Sequence, residues 1–163
     1  MAAPRSFTVF LKAMGLAAFL AAGLAFPSHA DDGKPPKELV EELSKKAHEG
    51  FLSVKNPEGE LVVKPADAKK LKYPIVNYEE REMAVARGYL SGTAHWCGLD
   101  WAKDYFKPYM KSLQLEHGKK WTPHQYAYVE LLHGVAMAVA ENGKKGQKCG
   151  AAEKKRIAGL AKK

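Results

Sequence analysis

The chain has 163 residues, two cysteines and a formal charge of +8, a length that suits one domain. The charge is uneven: residues 144–163 hold eight Lys or Arg against one acid, whereas residues 31–143 hold sixteen against seventeen. A near-neutral body with no basic–aromatic stripe argues against nucleic acid as a partner.

Residues 1–30 are expected to form a cleaved export signal. Arg5 and Lys12 supply positive charge, Ala13 to Phe26 is a short apolar run, and Ser28-His29-Ala30 sets small residues before Asp31. That run is short for a spanning helix, and no later segment is long enough to cross a membrane. The expected location is the periplasm or the exterior, and residues 31–143 are expected to form the helical domain.

The first helix is predicted from Lys37, with Leu39, Val40, Leu43, Ala47 and Phe51 on one face and charged residues opposite. Asn56-Pro57-Glu58-Gly59 reads as a turn. Leu61-Val62-Val63 is a candidate strand without a partner, and Pro65 to Leu71 is read as one or two helical turns. Asn77 can cap the next helix, with Glu80 three residues later. Its expected apolar stripe is Met83, Ala86, Leu90, Ala94 and Cys97, widened by Val85 and Tyr89. Gly88 and Gly92, four apart, suggest close helix packing, and Gly98 is the expected stop.

Asp100 can cap a segment carrying Trp101, Tyr105, Phe106, Tyr109, Met110 and Leu113. Pro108 should kink it or divide it after Phe106, and Gly118 should end it. Thr122-Pro123-His124-Gln125 places Thr at N-cap, Pro at N1 and Gln at N3 of a central helix ending near Glu141. Residues 144–163 form a basic C-terminal tail expected to include a short helix. That tail suits an anionic membrane surface or an acidic partner, with a solvated helix face as the simpler reading. The fold class expected is all-α: a small bundle of four to six helices tied by one disulfide.

Cys97 and Cys149 stand 52 positions apart, and an even count in an exported chain favours their pairing. Closing that loop stabilises by roughly 4 kcal/mol in the chain-entropy model.

No catalytic residue is assigned. His95 is two positions from Cys97 and so faces elsewhere on a helix, and no serine lies in a GxSxG elbow. Asp100 and Asp104 are spaced for one helix face, but a cap and a solvated acid explain them more simply. The histidines show neither i, i+4 pairs nor an HExxH motif. His133, with Met137 or Met110 as a soft partner, is the metal or haem candidate, against a hydrogen-bonded core histidine as the preferred reading. The chain lacks CxxCH, and non-covalent haem, which needs one or two ligands, stays open. Trp96, Trp101, Tyr105 and Trp121 are the candidate partner-binding surface.

Cys97, Phe106-Lys107-Pro108, Gly134-Val135, Cys149 and the lysine-rich end resemble the small two-cysteine acid-stress chaperones of the bacterial periplasm over residues 97–163. The resemblance implies a helical fold held by one disulfide, and dimer dissociation at low pH that exposes a client-binding surface. A long N-terminal extension and a basic charge depart from that family. The GYLSG segment from Gly88, followed by Cys97, also resembles small secreted immunity proteins that block cell-wall-cleaving toxins. Together these readings favour a non-enzymatic protein that binds another protein, with a haem- or metal-binding protein or a small secreted cell-wall enzyme as the alternative.

Overall fold

The computed structural model describes residues 34–55, 59–61 and 63–161. The expected export signal at 1–30 lies outside them. The described residues form six α-helices and no strand. Of the expected strand at 61–63, Leu61 makes only a lone bridge to Lys55 and Val62 lies outside the described residues. None of the helices is long and apolar enough to cross a membrane.

Helix α1, Lys37–Phe51, buries Leu39, Val40, Leu43, Ala47 and Phe51, the face its periodicity predicts. Tyr128 donates its hydroxyl to the carbonyl of Ser44 and sets its ring edge-on to Phe51 at 5.9 Å. Helix α2, Pro65–Ala68, is a single turn. Arg81 ties α1 to the Tyr73 loop: its guanidinium donates to Glu41 Oε2 at 2.9 Å and to Tyr73 Oη at 2.7 Å. Arg81, then the Tyr73 hydroxyl, holds the Glu41 carboxyl below the usual range by hydrogen bonding.

Helix α3, Tyr78–Trp96, starts where Asn77 accepts a hydrogen bond from the Glu80 N–H. Its buried face keeps Val85, Ala94 and Cys97 of the expected stripe, but Ala86, Tyr89 and Leu90 are only half-buried and Met83 turns outward. Arg81, Ala84, Val85, Gly88, Ser91, Gly92 and Ala94 point inward, and Met83 is 47% exposed. Small residues line this face because another helix lies almost on the backbone. A Cβ at Gly88 would stand 2.4 Å from the His133 carbonyl oxygen, and one at Gly92 would stand 2.5 Å from that of Met137.

That other helix is α5, Pro123–Gly143, whose contact with α3 is the most extensive between helices. Thr122 and Gln125 close the expected capping box at its start. Gly88 meets His133 and Ala136, Gly92 meets Met137 and Ala140, and His95 pairs with Glu141. The numbers rise together, so α3 and α5 run parallel. A parallel pair needs a return segment between its members, and residues 97–122 supply it.

Gly98 turns the chain at φ 67° after Cys97. Asp100 then caps the next turn by accepting from the Lys103 N–H. Ala102–Phe106 is a π-helical turn and helix α4, Lys107–His117, continues from it. Pro108 lacks an N–H, so the regular ladder cannot pass through it and the wider turn absorbs the break just before it. Gly118, at φ 49°, ends α4 as expected.

The principal core joins α1, α3, α4 and α5. A second, smaller cluster holds Ala94, Tyr105 and Ile157. Ile157 belongs to α6, Ala151–Leu160, so the basic tail contains the expected short helix and anchors it on the body. The disulfide between Cys97 and Cys149, with Cα atoms 5.1 Å apart, clasps the start of this tail to the end of α3. The chain is thus the all-α, single-disulfide bundle its sequence predicts.

Candidate functional site

Two aromatic regions lie at opposite ends of the α3–α5 pair. The first surrounds the disulfide. Trp96, the last residue of α3, donates its indole N–H to the Gln147 carbonyl, and the Lys144 ammonium lies 5.2 Å from its ring centre. Trp101 sits edge-on to His95 and tilted against Phe106. His95 Nδ1 lies 2.9 Å from Glu141 Oε1, linking the ends of α3 and α5. Both indoles are half-buried.

Tyr105 does not belong to this surface. It is 4% exposed and donates its hydroxyl to the Ile157 carbonyl at 2.8 Å. The sequence groups it with the candidate partner surface, but α6 folds over that face and turns it into core.

Trp121 does not join the other tryptophans either. It lies at the start of α5, near the start of α3, roughly a helix length of about 28 Å from Trp96. Its ring stacks on His117 at 3.9 Å and 7° and tilts against Tyr126. Trp121, Ile75, Val76, Asn77, Glu80 and Gln125 line a cleft of about 350 Å³.

His117 Nε2 is buried and lies 2.7 Å from Glu80 Oε1, a short contact not aligned as a hydrogen bond. Glu116 stands beside them, and one ligand atom from each of Glu80, Glu116 and His117 lies within 4.8 Å of the other two. Sequence reasoning treated Glu80 as a cap and His117 as a helix end. Only the fold-back of α4 along α3 brings positions 80 and 117 together.

His133 sits in the α3–α5 seam, 2% exposed. Its Nε2 lies 2.9 Å from Ser91 Oγ, and its ring is flanked by Phe106 and Tyr109. Burial among these groups lowers its pKa to about 4, so the ring is neutral at neutral pH. Met137 follows one turn later, also buried. With Nε2 engaged by Ser91, a metal at His133 would have to displace that hydroxyl or bind at Nδ1. Asp104 and Tyr105 line a separate cleft of about 200 Å³ with Arg87, while Asp100 is occupied as a cap.

Comparison with protein-family models, curated proteins and solved structures finds no match to this chain.

Proposed function

We propose that the protein is exported to the periplasm or the exterior and acts there by binding another protein, as a stress chaperone or an inhibitor, without catalysis. The observation that carries this reading is the placement of Trp96 and Trp101 on either side of the disulfide-bonded Cys97. The disulfide suits an oxidising compartment and holds two half-buried indoles in fixed positions. Rigid aromatic rings lose little entropy when a partner covers them, which makes them effective anchors. Lys144 adds positive charge over the Trp96 ring and favours a partner with an acidic rim.

The test is affinity capture from periplasmic extract with the disulfide-bonded protein and with a Trp96→Ala/Trp101→Ala variant. A partner retained by the first and lost from the second is the expected result. Equal capture by both, or no specific capture, rejects this surface as the binding site. For the chaperone version the readout is suppression of client aggregation at low pH. A protein that keeps its helical spectrum there yet gives no protection is not an acid chaperone.

A second reading, metal binding, is favoured by the meeting of Glu80, Glu116 and His117.

A further inference from the structure

We infer that Glu80, Glu116 and His117 form a binding site for one divalent transition-metal ion of the zinc class. One imidazole nitrogen and two carboxylates make a mixed ligand set that suits zinc or cobalt, whereas calcium and magnesium prefer oxygen ligands throughout. An exposed group of acids alone would say little. The histidine sets this group apart: its Nε2 is buried, lies 2.7 Å from Glu80 Oε1 and makes no aligned hydrogen bond.

The imidazole is also held in place. The Trp121 ring lies flat against it at 3.9 Å, which limits rotation about the side chain. The backbone of Glu80 is fixed in the first turn of α3, where its N–H is bonded to Asn77, while its side chain keeps its rotations. Glu116 precedes His117 in the last turn of α4 and is exposed, free to swing toward the other two.

The spacing is within reach of a coordination shell. In a tetrahedral site with bonds of about 2.0–2.2 Å, neighbouring ligand atoms stand about 3.4 Å apart. The 2.7 Å contact between His117 and Glu80 must open slightly, and the widest separation, at most 4.8 Å, must close. Rotations of two glutamate side chains supply both changes. Three protein ligands leave a fourth position for water or a small anionic ligand, and the cleft that Glu80 and Trp121 line gives solvent a way to Glu80.

The competing account is a plain His117–Glu80 ion pair, in which Glu116 is a bystander. Calorimetric titration of the disulfide-bonded protein with zinc chloride, and visible spectra with cobalt, separate the two. The expected result is one equivalent of zinc, weakened by more than about ten-fold in Glu116→Gln and in His117→Gln. Failure of the wild-type protein to take up a stoichiometric ion overturns the site. So does equal uptake by the wild-type and both variants, which would place the ion elsewhere. Glu116 is exposed, so Glu116→Gln keeps the fold and decides the matter alone if the histidine variant does not.

Discussion

The α3–α5 seam and the α6 clasp hold their helices together by opposite means. In the seam, Gly88 and Gly92 let two backbones approach so closely that no side chain fits between them, and contact runs along both helices. At the clasp, α6 brings one fully buried apolar residue, Ile157, into a three-residue cluster with Ala94 and Tyr105. A ten-residue helix with so small a buried face is too short to hold its place unaided. The covalent link at Cys97–Cys149 makes up the difference. One region is stable because its surfaces match, the other because its chain is tethered.

The largest expected effect comes from cutting the tether. Cys149→Ser should lower stability by up to roughly 4 kcal/mol. Its amide hydrogen exchange should rise over 151–160 while the seam amides of α3 and α5 stay protected. Equal loss of protection in both regions would break the comparison.

Acid should act on the seam. His133 is neutral in the fold, with a pKa near 4, against 6.5 as its ordinary value. Above pH 6.5 its contribution is complete. As pH falls from 6.5 toward 4 the unfolded chain takes up a proton that the fold refuses, and stability drops by about 3 kcal/mol. Glu41 works in a lower window. Its depressed carboxyl stabilises the fold above 4.5 and loses that effect as pH falls through its folded value. Urea midpoints across this range, with His133→Gln as reference, check the assignment. A wild-type midpoint that stays flat between pH 6.5 and 4 would remove His133 as the acid-sensitive group.

Two glycine substitutions sharpen the account of the seam. Gly88→Ala should cost about 2–3 kcal/mol, because its new methyl meets the His133 carbonyl and the Ala136 side chain. Gly134→Ala, where nothing lies within 4 Å, should stabilise α5 by up to about 1 kcal/mol. Chemical denaturation of the pair reads both signs. An effect of similar size is expected from Tyr105→Phe, which leaves the Ile157 carbonyl without its tyrosine donor at a cost of about 1 kcal/mol. Faster exchange confined to α6 would mark that loss as local to the clasp.

The same contrast accounts for what was legible in the sequence. The face of α1, the Thr122 capping box, the stop at Gly118 and the break before Pro108 rest on signals a few residues long, and the fold keeps them. The disulfide was legible from compartment and count. The inner face of α3 was legible only in part. Beside Ala84, Val85 and Ala94 it holds Arg81, Gly88, Ser91 and Gly92, none of which adds to an apolar stripe, so hydrophobicity points toward Met83 as well. Gly88 and Gly92 did announce a close approach, though not which helix makes it. The meeting of Glu80 with His117 depends on α4 running back along α3, a long-range event that no local spacing encodes. Tyr105 was misplaced for a related reason: its exposure depends on α6, some fifty positions later.

The parallel course of α3 and α5 also decides where the molecule carries its charge. Peptide dipoles leave about half a negative charge at each helix C-terminus, and two such ends are gathered beside Trp96 and Glu141. Lys144, Lys145 and Lys148 follow the end of α5 in the chain. At the far end, two N-termini are met by Glu79 and Glu80 in the first turn of α3. The chain's basic excess is thus the counterpart of a field set by the backbone, and added salt should loosen the lysine-rich pole before it disturbs the glycine seam.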